Sequence, residues 1–452
     1  MRPLTVLLTI CLAASILCAE ASFPLKVHDS GRYVIDKTGR PFFYNADTAW
    51  MLFMKLTEEE ATQYLEHRKS IGFNAIQIML TGVPGMANRA GQTPFRDNND
   101  FSTVNEPYFA HVDRVIAKAE KLDLLLAIAP LWESCCRDGW GMTDKDGKPA
   151  PIPTNGPAKC REFGRYIGKR YARFQNLWWI LGGDNDPHSD KEAIRQLAMG
   201  IKEAAPHHLC TYHAASSHTS TDVWPADEKW LDIVMLYTYF RGFNKAWNKN
   251  QPDVYEQGYK QWAKTPVRPY FLGESTYEGE HGDWGSAVQA RKQAYWAVLS
   301  GAFGNAYGSP NWNFPRDWRA VMRLPGAESL GHYRRLFESR PWWRLVPDID
   351  NKVAIDGRGE FATNNYATTA RADDGSFAIS YLPTARRITI DLAQIGGKSV
   401  RAWWFGPRDG QATRIGEFPN SGQRSFEPPG PGDWALVLDD AERQFAPPGQ
   451  LK

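Results

Sequence analysis

Two acidic residues follow apolar runs in this sequence, and their type and position suit acid–base or nucleophilic chemistry. The run LWWILGG leads into Asp184, and the run PYFLG leads into Glu274. An apolar run that ends abruptly on a carboxylate is typical of a buried strand whose end opens into an active site. The alternative is a core strand followed by a polar turn. The elements that surround the two residues decide between these interpretations.

Eight short apolar or β-branched runs alternate with amphipathic helical patterns from residue 41 onward. The runs cover residues 41–47, 73–80, 124–130, 177–184, 208–214, 231–239, 269–275 and 301–308. Helices are predicted near 57–69, 107–121, 157–174, 190–204, 252–264, 286–300 and 328–338, the first opening with a capping box at Thr57 and Glu60. This alternation predicts a parallel sheet covered by helices, and eight repeats close a (β/α)8 TIM barrel.

The pattern changes after Pro341-Trp342-Trp343. Residues 345–440 alternate on a two-residue period with Gly, Pro and Asp turns between the runs, which predicts an antiparallel β-sandwich. Residues 25–40 are interpreted as a hairpin that either caps the barrel floor or joins the sandwich. We therefore expect a signal peptide over 1–21, a catalytic barrel with its hairpin over 22–343, and a sandwich over 344–452.

The first residues carry the features of a secretory signal. One basic residue precedes an apolar run from Leu4 to Cys18, and Ala19-Glu20-Ala21 has the small-x-small pattern of a cleavage site. The run is shorter than the roughly 20 residues that span a bilayer. A lipid anchor on Cys18 is disfavoured because Leu17 is a poor neighbour for it. We expect an exported protein, periplasmic or extracellular, without a membrane span.

Composition narrows the class of partner. The net charge of +2 argues against nucleic acid as a partner, because no basic stripe is present. The chain has 18 tryptophans, many beside predicted strand ends, and flat aromatic rings suit the faces of sugars. Packing of these rings in the core is the alternative. The sequence predicts a polysaccharide or oligosaccharide as substrate and gives no oligomeric state.

Four cysteines lie outside the signal, namely Cys135, Cys136, Cys160 and Cys210. Their spacing matches no zinc-site template. An exported compartment permits disulfides, so we favour a bridge from the adjacent pair to Cys160. Free buried thiols are the alternative.

The candidate site residues are those at the C-terminal ends of the predicted barrel strands and in the loops that follow. This mainly acidic and aromatic set consists of Asp47, Trp50, Gln77, Trp132, Glu133, Asp184, Asn185, His213, Tyr237, Tyr239, Glu274, Tyr277 and Trp312. It lacks the clustering of a metallohydrolase site and a phosphate-binding glycine loop. Residues 184–190 also lack the glycine of a calcium loop. We expect no metal and no cofactor.

Several of these residues have a structural interpretation as well. Asp47 is either a turn cap or a ligand for sugar hydroxyls, and Glu133 is either a surface carboxylate or the reserve candidate for the acid. His213 is either a core histidine or a site residue. Of Tyr237 and Tyr239, we expect only one to line the pocket.

Two carboxylates in an aromatic pocket are what glycoside hydrolysis requires. One protonates the leaving oxygen, and the other attacks the anomeric carbon or activates water. The fourth and seventh strands of an eight-stranded barrel face each other, so Asp184 and Glu274 are predicted to point into one pocket. Gly182 and Gly183 let the backbone bend just before Asp184.

The sequence resembles glycoside hydrolase family 140, the apiosidase group. The resemblance lies in PFFYNADTAWMLFMKLTEEEATQYLEHRKSIGFNAIQ, NLWWILGGD and FLGEST, and in VRAWWFGPRDG and GDWALVLDD near the C-terminus. It implies a retaining mechanism with Asp184 as acid/base and Glu274 as nucleophile, although most relatives in clan A have a glutamate at the first position. The C-terminal module of such proteins is labelled collagen-binding, and residues 345–440 show no feature that supports the label.

The resemblance implies an exported retaining glycosidase that cleaves apiose-linked side chains of rhamnogalacturonan II in plant pectin. One alternative is a glycosidase of the same fold on another furanoside or a glycan bearing uronic acid. Another is a carbohydrate-binding or adhesion protein whose barrel has lost its chemistry. The presence of both Asp184 and Glu274 argues against the last alternative.

Overall fold

The structure is a computed structural model that describes residues 21–97, 99–134, 139–141, 149–225, 227–239 and 251–451. The predicted signal peptide, apart from Ala21, lies outside the described residues, as do Cys18, Cys135 and Cys136.

A short antiparallel hairpin opens the described chain, formed by Lys26–Val27 (β1) and Val34–Ile35 (β2). Val34 is fully buried in the main core, and its carbonyl accepts a hydrogen bond from the amide of Phe42, just before the first barrel strand. Arg32 reaches the carbonyl of Trp262 on the barrel wall. The hairpin therefore covers the barrel floor, which decides between the two predicted positions.

Eight parallel strands form the central sheet. They are Tyr44–Thr48 (β3), Ala75–Met79 (β4), Leu125–Ala129 (β5), Leu177–Gly182 (β6), Leu209–His213 (β7), Val234–Tyr237 (β8), Tyr270–Glu274 (β9) and Gly304–Tyr307 (β10). The order β7-β6-β5-β4-β3-β10-β9-β8 places β7 and β8, which are consecutive in the chain, at its two ends. The rings of His213 and Tyr237 at the tips of these strands lie 4.8 Å apart. The predicted TIM barrel is confirmed.

Helices cover the outside of the sheet. They are Leu52–Lys55 (α1), Glu58–Ser70 (α2), Glu106–Lys121 (α3), Pro151–Tyr171 (α4), Lys191–Ala204 (α5), Ser220–Val223 (α6), Val254–Trp262 (α7), Ala287–Leu299 (α8), Trp318–Val321 (α9) and Pro325–Glu338 (α10). The capping box that opens α2 is present, with the Glu60 amide donating to the Thr57 hydroxyl at 3.2 Å. No helix within the described ranges has the length and apolar character needed to cross a membrane.

Aromatic side chains fill the barrel beneath the strand tips. The ring of Tyr44 lies 4.8 Å from that of Trp178 and 4.9 Å from that of Phe271. Above them, Gln77 accepts a hydrogen bond from the Tyr44 hydroxyl and donates to the carbonyl of Gly273 at 2.8 Å. This packed, hydrogen-bonded layer forms a rigid base for the residue that follows Gly273, which is Glu274.

Two antiparallel sheets follow the barrel. Their strands are Leu345–Pro347 (β11), Ala354–Asp356 (β12), Thr368–Ala372 (β13), Phe377–Leu382 (β14), Ile388–Asp391 (β15), Ser399–Phe405 (β16), Ala412–Pro419 (β17), Gln423–Phe426 (β18) and Trp434–Asp440 (β19). One sheet has the order β11-β13-β14-β19-β16-β17 and the other β12-β15-β18. A separate apolar cluster, which includes Ile388 and Leu436, lies between them. The predicted sandwich is confirmed.

The sandwich packs against α8 and α10 of the barrel. The rings of Tyr295 and Tyr381 stack at 4.4 Å, and Arg291 forms a buried ion pair with Asp433 at 2.8 Å. A second buried pair joins Arg340 to Asp439. Part of the sandwich belongs to the same apolar core as the barrel, so the two pack as one continuous interior.

The cysteines differ from the favoured expectation. Cys160 is a buried free thiol on α4, and Cys210 is a buried free thiol on β7. Burial raises the pKa of each thiol to about 12. The predicted bridge to Cys160 was therefore wrong, because Cys160 is a free thiol packed in the main apolar core.

Candidate active site

The two predicted carboxylates meet at the mouth of the barrel. Asp184 follows β6 and Glu274 is the last residue of β9. One ligand-forming atom each from Asp184, His213 and Glu274 lie within 4.8 Å of one another. Because all barrel strands are parallel, their carboxyl ends open on the same side of the sheet. The structure thus brings the central pair together as predicted.

Sharp backbone turns deliver Asp184 to this position. Gly182 and Gly183 have positive φ angles of 82° and 138°, and Asp184 itself has a φ of 60°. A Cβ on Gly183 would lie 2.4 Å from the Trp132 ring, so a side chain there is excluded on steric grounds as well. A left-handed non-glycine residue is strained, and such strain is concentrated at functional sites.

His213 contacts the carboxylate of Glu274 and the backbone of Asp184. It is fully buried at the end of β7, and its Nε2 lies 2.7 Å from Oε2 of Glu274. Its Nδ1 lies 3.2 Å from the backbone amide of Asp184. Burial works to lower the pKa of His213, but the hydrogen bond with Glu274 and the charges of both carboxylates raise it overall. His213 is therefore a site residue rather than an apolar core histidine.

Asp184 is protonated more readily than an ordinary aspartate. Burial, followed by repulsion from Glu274, raises the pKa of Asp184 to about 7. Its Oδ2 accepts a hydrogen bond from Nε1 of Trp132 at 3.2 Å, and the Tyr237 hydroxyl also contacts the carboxylate; both contacts favour the ionised form. A carboxyl group with a pKa near neutrality is suited to donate and retrieve a proton.

Aromatic side chains form one wall of the site. The rings of Trp50 and Trp132 lie 4.6 Å apart, and the ring of Trp132 lies 4.9 Å from that of His213. Nε1 of Trp50 donates to the hydroxyl of Tyr277 at 2.8 Å. These contacts bring the three predicted aromatic residues to the carboxylates and fix their orientation.

Tyr237, the last residue of β8, and Tyr239, two residues further on, both lie by the carboxylates. Tyr237 contacts Asp184, and its ring lies 5.5 Å from that of Tyr239. The charges of Glu274 and Asp184 add to burial in raising the pKa of Tyr239. Both tyrosines thus approach the carboxylates, where only one was expected, because the chain beyond the end of β8 brings Tyr239 beside Tyr237.

Asp47 does not reach the pocket. It is fully buried on the outer face of β3, where it forms an ion pair with Nε of Arg68 at 2.8 Å and accepts a short hydrogen bond from Tyr64, both residues of α2. Since the carboxylate is already neutralised between strand and helix, the interpretation as a sugar ligand was wrong. Gln77 also lies below the pocket, inside the barrel, and supports Gly273.

Glu133 and Asn185 lie behind Asp184. Glu133 is 2% exposed, so it is not a surface carboxylate, and its Oε2 accepts a hydrogen bond from Tyr212 at 2.7 Å. The Tyr212 hydroxyl also lies 2.9 Å from the carbonyl oxygen of Asn185. Glu133 and Asn185 thus share a contact with the Tyr212 hydroxyl, which lies on this side of Asp184 rather than at Glu274.

Trp312 lies at the rim of the mouth. It is half-buried, and its Nε1 donates to Oε1 of Glu280 at 2.8 Å. Glu280 and His281, whose ring lies 5.8 Å from that of Tyr239, belong to the loop after β9. Sequence reasoning missed both, although the acidic run after FLGEST on a strand-following loop was a usable signal.

The group of Asp184, His213 and Glu274 is also a donor set that could hold a transition-metal ion. The 2.7 Å distance between His213 and Glu274 is that of a charge-assisted hydrogen bond. Trp132 and Tyr237 donate to Asp184. The polar groups of the set are thus satisfied by hydrogen bonds between side chains.

Comparisons with known proteins agree with this geometry. The family model described as "Apiosidase-like, catalytic domain" matches residues 28–344, and one described as "Putative collagen-binding domain of a collagenase" matches residues 347–439. None of the curated proteins matches the chain.

Two solved structures are similar over nearly the whole chain. A glycoside hydrolase family 5 protein from Bacteroides vulgatus ATCC 8482 is 25% identical, with a TM-score of 0.83, over 94% of this chain and 96% of that one. A structure described as a glycoside hydrolase is also 25% identical, with a TM-score of 0.81, over 94% of this chain and 100% of that one. Together with the match over the barrel, these findings show that the chain belongs to the apiosidase-like family and carries a catalytic barrel of the glycosidase type.

Proposed function

We propose that this protein is a retaining glycosidase of family 140, in which Asp184 is the acid/base and Glu274 the nucleophile. The observation that carries the proposal is the separation of the two carboxylates, which present oxygens within 4.8 Å of each other. Retaining enzymes hold the two groups about 5–5.5 Å apart, whereas inverting enzymes need about 6.5–9.5 Å to admit a water. The close pair leaves room for direct attack on the anomeric carbon.

The environments of the two groups support different roles. Asp184, with a pKa of about 7, is available in its protonated form near neutral pH. Glu274 lies 2.7 Å from Nε2 of His213, and this contact orients its carboxyl group for attack. In the first step Glu274 attacks the anomeric carbon while Asp184 protonates the departing oxygen. In the second step Asp184 takes a proton from water, which then releases the sugar.

We infer that the substrate is an apiose-linked side chain of rhamnogalacturonan II. The support is the match to the apiosidase-like catalytic domain and the aromatic wall formed by Trp50 and Trp132. The signal features of residues 1–21 support export to the periplasm or the medium, where pectin fragments would be met.

The test is incubation of the purified protein with rhamnogalacturonan II, followed by mass spectrometry of the released oligosaccharides. The proposal predicts fragments with apiose at the new reducing end. Release of fragments ending in another sugar would overturn the substrate assignment, and no release from any pectin fraction would overturn the assignment to pectin. The double variant Asp184→Asn, Glu274→Gln serves as the blank.

A further inference from the structure

A second pair of carboxyl groups lies behind Asp184. Glu133 and Asp190 are 2% and 5% exposed, and their carboxyl groups are within hydrogen-bonding reach of each other. Both side chains pack against Gly141. A Cβ added to this glycine would lie 2.8 Å from Oδ2 of Asp190 and 2.8 Å from Cγ of Glu133. Two buried carboxylates in contact cannot both be ionised without a cation between them. One of the two must therefore carry a proton or be bridged.

The contacts place the proton on Glu133. Its Oε1 is fully buried and has no hydrogen-bond donor among the described residues. Each group accepts one hydrogen bond, Oε2 of Glu133 from Tyr212 at 2.7 Å and Oδ1 of Asp190 from the backbone amide of His188 at 3.0 Å. Of the two groups, only Glu133 keeps a buried oxygen without a donor among the described residues. A proton on Glu133 that is donated to Asp190 satisfies both groups. Burial, and next the charge of Asp190, raise the pKa of Glu133 well above its ordinary value, in agreement with this assignment.

The charged and titratable groups around Glu133 come from three elements. Asp186 and Asp190 face it from the loop after β6, Tyr212 from β7, and Cys160 of α4 lies near Asp190. All four become negative when they ionise. Within the described ranges, neither Glu133 nor Asp190 has an ion-pair partner, whereas Asp186 pairs with the imidazole of His218 at 2.7 Å. Rising pH adds negative charge to the cluster and removes the positive charge of His218, and both changes oppose the ionisation of Glu133.

The pair holds the loop that carries Asp184. The Tyr212 hydroxyl, 2.7 Å from Glu133, also lies 2.9 Å from the carbonyl oxygen of Asn185, next to Asp184. At the other end of the loop, Asp190 precedes the first residue of α5. The backbone amide of Glu133 donates to the carbonyl of Gly182 at 3.3 Å. Glu133 thus fixes the strand end, the start of the loop and its end.

We propose that Glu133, as a neutral carboxylic acid hydrogen-bonded to Asp190, is a positioning residue that fixes the loop bearing Asp184. The proposal rests on the proposed acid/base role of Asp184. It gives Glu133 a role other than reserve acid, since its carboxyl group is engaged by Tyr212 and Asp190 rather than by the reacting pair.

The first test measures unfolding and needs no substrate. A carboxyl group whose pKa is raised in the folded state stabilises the fold below its unfolded pKa of about 4.5 and loses this contribution as pH rises toward the folded pKa. Glu133→Gln keeps the shape and donates without titrating. Its unfolding constant relative to that of the native protein should therefore fall as pH rises above about 4.5, by at most about tenfold for each pH unit. Glu120→Gln, an exposed change on α3, should show no such trend.

The outcomes of this test are distinct. A difference between Glu133→Gln and the native protein that does not vary with pH would mean that Glu133 is ionised throughout, and it would overturn the proposal. A melting temperature that rises with added calcium and falls with a chelator in the native protein, but not in Glu133→Gln, would mean that a cation bridges the pair, and it would also overturn the proposal.

The second test separates positioning from packing. Glu133→Ala should lower kcat roughly 10–100-fold, because the acid/base is displaced, while KM changes less than about threefold. Glu133→Gln should recover most of kcat. Equal losses of kcat in Glu133→Ala and Glu133→Gln would contradict the proposal that residue 133 acts as a neutral hydrogen-bond donor. If instead Asp184 proves not to be the acid/base, the unfolding result still stands, so the two failures are distinguishable.

Discussion

Nε2 of His213 lies 2.7 Å from Oε2 of Glu274, and this contact links the tips of two barrel strands that are not neighbours in the sheet. The imidazole is fully buried, and its other ring nitrogen lies 3.2 Å from the backbone amide of Asp184. One side chain therefore orients the Glu274 carboxylate and touches the backbone of Asp184.

Removal of His213 should impair catalysis without unfolding the barrel. His213→Ala removes the hydrogen bond between the imidazole and the Glu274 carboxylate. Loss of a charge-assisted hydrogen bond of this kind should lower kcat/KM by about 10–100-fold. Steady-state kinetics on pectin fragments, with circular dichroism to verify folding, measure the effect. His28→Ala on the β1–β2 hairpin is the matched control. Equal activity of the two variants would contradict the role of His213.

The pH dependence of kcat/KM should reflect the titration of Asp184. With a pKa of about 7, the acid loses its proton as pH rises through neutrality, so kcat/KM should fall on the alkaline side with a midpoint near that value. The Trp132 indole stabilises the ionised form, so Trp132→Phe should raise the pKa of Asp184 and move the alkaline midpoint to higher pH. A midpoint that moves to lower pH, or does not move, would contradict the assignment of Asp184.

The positions of the strands and of the two carboxylates could be predicted from the sequence. Apolar runs gave the eight strands, and the topology of a closed barrel then placed Asp184 and Glu274 at one mouth. The direction of Asp47 could not be predicted, because it depends on Arg68, a partner 21 residues away on α2. For the same reason burial of Glu133 was missed, since its partners Tyr212 and Asp190 come together only in three dimensions.

The Asp47–Arg68 pair should matter for stability and not for substrate binding. Both side chains are fully buried, so Arg68→Met leaves an unpaired buried carboxylate and should cost about 3–5 kcal/mol in the free energy of unfolding. The exposed pair of Arg114 and Glu58 is the control, and Arg114→Met should cost less than about 1 kcal/mol. Denaturant unfolding measures both. If Arg68→Met instead raised KM and left the free energy of unfolding unchanged, Asp47 would have to be counted among the substrate-binding residues.

The sandwich should be needed for a soluble barrel. A chain that ends at residue 344 exposes the apolar face of α8, including Tyr295 and Trp296, which the sandwich covers. Such a patch promotes association, so light scattering should detect aggregates of the truncated chain. Asp433→Ala, which leaves the buried Arg291 unpaired, should lower the melting temperature of the full chain. A stable, monomeric barrel would indicate an independent module instead.

Leaving-group dependence separates the roles of the two carboxylates. Asp184→Ala should slow cleavage of the natural glycan by roughly 10²–10⁴-fold, since the departing oxygen then lacks a proton donor. An aryl glycoside with a strongly acidic phenol needs no such proton and should be affected much less at the first step. Glu274→Ala should be nearly inactive on both substrates, because no other group attacks the anomeric carbon. Equal losses of the two variants on both substrates would contradict this division of roles.

The most direct test of the central assignment is the configuration of the product formed with azide, followed by proton NMR on the aryl glycoside. In Asp184→Ala, azide replaces the base-activated water at the glycosyl-enzyme intermediate, so a glycosyl azide of retained configuration should form. In Glu274→Ala, azide attacks from the vacated face, so the product should have inverted configuration. Inverted azide from Asp184→Ala, or no rescue of either variant, would contradict the assignment of Asp184 as acid/base and Glu274 as nucleophile.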